Sequence, residues 1–202
     1  MLKIGLTGGV GSGKSTISNI LKDKGIKIID ADFIAREVLN IYPKIKEKIK
    51  ETFGEEFFDN QGNLKRRELG NFIFMHEERR KALEGIIMPY IKKEIDLRFK
   101  TYEEAGEDIC ILDAPTLIEQ GIYKHMHKNI LIWVDRETQI ERVMKRDNFT
   151  RKQVLDRTNS QMDLEEKKKY VDFVIDNSKD LISTINQINY IIAMIKKDEG
   201  HL

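Results

Sequence analysis

A chain of 202 residues is long enough to bury a sizeable core and suits one domain, with or without insertions. Its charge is almost balanced, 35 basic against 34 acidic residues, which argues against nucleic-acid binding through bulk electrostatics. The single cysteine rules out an internal disulfide framework, and no apolar run is long enough to span a bilayer, so neither a disulfide scaffold nor a membrane protein is expected. Nothing like a signal segment precedes the first strand-like run, and the expected location is cytoplasmic.

That first run, "LKIGLT", reads as a buried strand and passes into "GGVGSGKST", where Gly8, Gly13, Lys14 and Ser15 meet the pattern G-x-x-x-x-G-K-[ST]. Glycines permit positive φ and place no side chain in the way, so backbone N–H groups can turn inward around an anion. The helix that follows, "STISNILKDKG", adds unpaired amides and the positive end of its dipole, and Gly25 closes it. Gly11, Ser12, Gly13, Lys14, Ser15 and Thr16 are therefore the candidate ATP-binding set. Lys14 is expected to reach the β- and γ-phosphates, and the Ser15 hydroxyl to ligate Mg²⁺.

The second strand, "IKIID", ends at Asp30, with Asp32 two residues on and Arg36 one helical turn later. In a doubly wound sheet the C-terminal strand ends face one crevice, so Asp32 is the candidate to orient or deprotonate an attacking hydroxyl. Arg36 is a candidate partner for a substrate phosphate or for Asp32. Residues 43–101 are helical and charged and read as a helical insertion between core strands. Within it, Arg66 offers a fork suited to two phosphate oxygens, with Arg67 beside it.

Next come the strand-like runs "ICILDAP" and "NILIWVD"; Cys110 in the first is expected to be a small buried apolar residue, and Asp113 closes the strand near the phosphate crevice. Residues 136–170 form a basic helical hairpin of the kind that makes a lid, with Thr150 and Gln153 as a capping box. Arg142 and Arg146 lie four apart on one face, a spacing that lets one guanidinium cover adenine and the other meet the ATP phosphates. Arg157 and Gln161 repeat the interval, with Arg157 placed to neutralise transferring charge. After a last strand, "FVIDN", Leu181, Ile185, Ile188, Ile192 and Ile195 recur at helical intervals and are expected to pack on the sheet. The alternation gives an α/β fold: a single phosphate-loop (P-loop NTPase-type) domain over 1–202, with a parallel sheet, helices on both faces, a helical insertion and a lid.

Two near-matches raise a GTPase. Asp59–Gly62 fits D-x-x-G, and Asn177–Asp180 approaches N-K-x-D, but lysine does not follow Asn177, and both stretches read better as turns. On residues alone the reading is a small-molecule ATP kinase. A nucleoside monophosphate or shikimate-like acceptor fits equally well, and a non-catalytic nucleotide-binding module stands as a further alternative.

"IGLTGGVGSGKST", "IDADFIAR", "RRELGNFIF", "LDAPTLIE", "RVMKRD" and "SQMDLEEKKKYVDFVIDNS", in this order, resemble dephospho-CoA kinases from the first strand to about Ser178. The resemblance implies transfer of the ATP γ-phosphoryl group to the ribose 3′-hydroxyl of dephospho-CoA, the last step of coenzyme A synthesis. It implies residues 43–101 as a helical substrate (CoA) subdomain and 136–170 as a lid, and ATP and dephospho-CoA as partners, with no nucleic acid or membrane, in a monomer or small homo-oligomer. By the same resemblance Thr7 lies near the substrate, Arg66 and Glu119 stand at acceptor-side positions, and Asn177 borders the adenine. One departure is Met88-Pro89, where the family commonly has His-Pro; methionine cannot donate the hydrogen bond a histidine offers.

Overall fold

Parallel strands cannot be joined by tight turns and need crossovers of a dozen or more residues, which the helical stretches between the apolar runs provide. In the computed structural model, which describes residues 1–74 and 76–198, the strands form one parallel sheet. They are β1 (Leu2–Gly8), β2 (Lys27–Asp30), β3 (Ile109–Asp113), β4 (Lys128–Trp133) and β5 (Phe173–Asp176), in the spatial order β2-β3-β1-β4-β5. The register sets Leu6 beside Asp113 and Asp113 beside Asp30, so β3 and β2 finish level and β1 runs on two residues further, to Gly8.

The helices in chain order are α1 (Lys14–Asp23), α2 (Ala31–Ile41), α3 (Pro43–Phe53), α4 (Arg66–Phe74), α5 (Glu77–Glu104), α6 (Arg136–Asp147), α7 (Arg151–Thr158), α8 (Leu164–Lys167) and α9 (Leu181–Asp198). The chain divides into two compact units: Met1–Asp30 with everything from Phe99 onward, and Ala31–Arg98. The first holds the whole sheet, α1 and α6–α9. Period-two alternation sends Ile4, Leu6, Ile109, Ile111, Ile130 and Ile132 to one sheet face, where they meet Ile17 and Leu21 of α1 and Ile188, Ile191 and Ile195 of α9. Toward the other face, Leu131 packs with Leu164 of α8. Cys110 is fully buried, and burial pushes its thiol pKa up to about 12, as fits an inert core residue.

The second unit is helical. It buries Ile34 and Val38 of α2, Ile45 and Ile49 of α3, and Ile91 and Ile95 of α5. Tyr42 donates a 2.7 Å hydrogen bond to Glu94 and packs its ring, tilted by 48°, at 5.0 Å from that of Tyr90. The Asp59–Gly62 stretch is an Asx turn, in which the Asp59 carboxylate accepts from the amides of Gln61 (2.9 Å) and Asn63 (2.8 Å). Those two bonds and the Asn63 side-chain amide hold the Asp59 carboxyl below its usual range.

One expected stripe is shifted. On α9 the buried positions are Thr184, Ile188, Ile191 and Ile195, whereas Leu181 is 52% exposed. Leu181 is the first residue of α9, before the helix comes down onto the sheet, and the face is entered instead by Thr184, whose hydroxyl donates to the Asn177 side chain. Ile188→Ala should therefore cost about 2–4 kcal/mol of unfolding free energy in denaturant titrations, and Leu181→Ala less than about 0.5 kcal/mol. Equal losses would contradict this packing.

Candidate active site

The turn after β1 must reverse the chain and present amides. Gly11 and Gly13 do so at φ 79° and 85°, in the left-handed region. Space makes the same demand as backbone conformation. A Cβ on Gly11 would sit 2.6 Å from the Val143 side chain, and one on Gly13 would run into the side-chain amide nitrogen of Asn177. Gly13 immediately precedes α1, whose first amides have no intrahelical partner and face an incoming anion.

Three carboxamide side chains hold this loop by its main chain. Gln161 accepts from the Val10 amide at 3.1 Å, and Gln139 donates to the Val10 carbonyl at 2.7 Å. Asn177 donates to the Ser12 carbonyl at 2.8 Å while its own oxygen accepts from Thr184 at 2.9 Å. Ser12 shapes the loop from inside: it is fully buried, and its amide donates to the Gly9 carbonyl at 3.1 Å.

Lys14 and Ser18 are four residues apart on α1 and so share a face, the one turned to the end of β3. There the Lys14 ammonium pairs with one oxygen of Asp113 and the Ser18 hydroxyl donates to the other at 2.5 Å. The pair is largely buried, with side chains 14% and 8% exposed. Ser15 and Thr16, the next two residues of the same turn, are exposed.

The remaining expected residues of this unit divide by what they touch. Thr7 is fully buried and donates to the Pro115 carbonyl at 3.0 Å. Glu119 pairs with Lys167 at 3.0 Å and accepts from the Met162 amide at 3.2 Å. Arg142 donates to the Asn177 carbonyl at 2.9 Å, beside the loop. Arg146 is instead turned to Asp147, with two 2.8 Å bonds, and its guanidinium holds the Asp147 carboxyl below its usual range. Arg157 is exposed and lies 4.3 Å over the Phe149 ring. The Thr150–Gln153 capping box opens α7.

In the helical unit, Asp32 and Arg36 are exposed on α2, and the Arg36 side chain donates back to the Asp32 carbonyl at 3.2 Å. Arg66, at the start of α4, donates to the Arg36 carbonyl at 2.7 Å. Asp32 follows the end of β2 by two residues.

Sequence reasoning did not single out Gln139, Ser18 or Lys167. Ser18 was detectable by its four-residue spacing from Lys14. Gln139 and Lys167 lie in charged stretches that read as solvated faces, and only the tertiary fold turns them inward.

The family model for dephospho-CoA kinase matches residues 2–183. The chain belongs to the dephospho-CoA kinase family. ATP-dependent phosphorylation of dephospho-CoA, in coenzyme A biosynthesis, is thus the chemistry this site serves. A dephospho-CoA kinase of Clostridium tetani is 52% identical over 195 residues, covering 96% of this chain and 86% of the relative. One from Clostridium perfringens is 49% identical, covering 94% and 95%. The solved dephospho-CoA kinase of Campylobacter jejuni superposes with a TM-score of 0.73 at 26% identity, over 98% of both chains. Among the described residues of the kinase, no helix is long and apolar enough to cross a membrane.

If the carboxamide grip sets the loop's shape, Asn177→Leu, similar in size but without either hydrogen bond, should weaken ATP binding by about tenfold, roughly the worth of one to two such bonds. Thr184→Val, which leaves the bond to Ser12 in place, should change it by less than about twofold. Calorimetric titration with ATP measures both, and equal effects would contradict the grip.

Proposed function

We propose that the chain transfers the γ-phosphoryl group of ATP, with Mg²⁺, to the 3′-hydroxyl of the ribose in dephospho-CoA. The observation that carries this reading is the Lys14–Asp113–Ser18 cluster beneath a gripped phosphate loop, in a chain that matches the family over residues 2–183. Bound triphosphate offers Lys14 a second anionic partner, so the ammonium exchanges Asp113 for the β- and γ-phosphate oxygens.

That exchange leaves a carboxylate at the end of β3, near the start of α1. Mg²⁺ takes one or two protein oxygens and fills its shell with phosphate and water. The exposed Ser15 hydroxyl and the Asp113 carboxylate are hard oxygen donors of that kind, and among the described residues no group of three or more His, Cys, Asp or Glu is preassembled as a cage. These residues fit an ion shared with the nucleotide, which would supply neutralisation of the phosphate charge.

On the acceptor side, Asp32 has the role of orienting the hydroxyl and taking its proton, supported by its place two residues beyond the end of β2. Arg36 and Arg66 are assigned to the acceptor's anionic groups. Arg142, against the Asn177 carbonyl, is assigned to the adenine border. Arg146 and Arg157 are exposed cations available to the transferring group, and Arg146 reaches it by giving up Asp147. Residues 136–170 act as the lid and residues 43–101 carry the acceptor.

Asp32→Asn should leave ATP affinity unchanged and lower kcat about 10²- to 10⁴-fold, read by coupled ADP release with dephospho-CoA. An unchanged kcat would remove the proton-accepting role. Chelating divalent ions with EDTA should abolish ADP release, and excess Mg²⁺ should restore it. Turnover that persists in EDTA would contradict the assignment of Ser15 and Asp113.

A further inference from the structure

Lys167 is the one charged side chain among the described residues with no exposed surface. It lies at the end of α8, in a run of three lysines whose other two are partly or fully exposed. Its ammonium donates to the Pro115 carbonyl at 2.6 Å and pairs with Glu119 at 3.0 Å. Thr7 donates to the same Pro115 carbonyl at 3.0 Å, so that oxygen receives two donors, one from the end of β1 and one from α8. Glu119 in turn accepts from the Met162 amide, next to Gln161, which holds Val10 of the loop.

Stability alone does not explain a lysine here. Burial lowers its pKa, and the nearby Lys14 ammonium disfavours its charge further, against the pull of Glu119. A methionine of similar volume would fill the space without either cost. What the ammonium does that methionine cannot is bind a carbonyl and a carboxylate together. It thereby ties three segments: the end of β1 through Thr7, the turn from Asp113 to Glu119, and the lid's return through α8.

We propose that Lys167 is a positioning residue for phosphoryl transfer, fixing the Thr7–Pro115 turn and the Glu119 carboxylate as the acceptor-side wall of the sheet unit. This rests on the reading of Thr7 and Glu119 as acceptor-side residues. Lys167 touches no reacting atom. It acts by holding the wall against which the acceptor is placed, and a displacement of about 1 Å in such a wall costs on the order of 10²-fold.

The test is steady-state kinetics of the full chain carrying Lys167→Met or Lys167→Gln, well below each variant's Tm. KM is independent of the fraction of enzyme that is folded, so it separates positioning from stability. The KM for dephospho-CoA should rise about tenfold or more, with the KM for ATP within about threefold of the parent. A KM for dephospho-CoA within about twofold of the parent, or a rise confined to ATP, overturns the proposal. Where a single variant does not fold, Lys167→Met/Glu119→Gln removes both charges together, and its KM for dephospho-CoA is compared with that of Glu119→Gln: a further rise supports the proposal, and none overturns it. Glu119→Gln alone tests the underlying reading: no change there, with a raised KM in the Lys167 variants, removes Glu119 from the acceptor wall and leaves Lys167 in place. A raised KM in Glu119→Gln with none in the Lys167 variants does the reverse.

Discussion

Everything this molecule does to a phosphate depends on the shape of the backbone between Val10 and Gly13. A glycine-rich turn with positive φ at Gly11 and Gly13 has many alternatives when unfolded, and its inward-facing amides repel one another. Such a loop keeps its form only if its surroundings fix it. Here the surroundings are Gln139, Gln161 and Asn177, which together engage both peptide groups of Val10 and the carbonyl of Ser12. All three are carboxamides. A neutral side chain with a donor and an acceptor can hold main-chain groups without contributing a charge, so the positive potential of the amides and of the start of α1 stays available to the nucleotide.

Around this neutral frame the charges are paired in a way that leaves room for exchange. Lys14 rests on Asp113, which Ser18 also engages, so in the exchange proposed above the carboxylate would stay hydrogen-bonded when Lys14 turns to the phosphates. A partner kept in place is what makes such an exchange affordable in a dry site, since a buried charge left alone is costly. Lys167 and Glu119 form a second pair further along the chain from β3. The same short stretch from Asp113 to Glu119 thus carries both pairs.

Much of this was legible in the sequence because it is encoded locally. The strands, the phosphate loop, the capping box at Thr150 and the turn at Asp59 each follow from a few adjacent residues. The order of family motifs was enough to identify the chemistry before any coordinates. What could not be read was whatever depends on long-range register. "EEKKK" looks like a solvated face, and nothing in it marks Lys167 as the lysine that turns inward. The family resemblance pointed to Asn177, whereas its grip on Ser12, 165 positions earlier, belongs to the pairing of β4 with β5. The α9 stripe was misjudged at Leu181 because periodicity gives a helix's face but not where along its length the sheet begins.

A crystal structure with a non-hydrolysable ATP analogue and Mg²⁺ tests the central claim most directly. The account predicts an unchanged backbone from Val10 to Gly13, with the hydrogen bonds from Gln139, Gln161 and Asn177 intact and only the Lys14 ammonium moved, from Asp113 to the phosphates. A loop that rearranges on binding and abandons those three side chains, or a Lys14 still seated on Asp113 beside bound triphosphate, would contradict it.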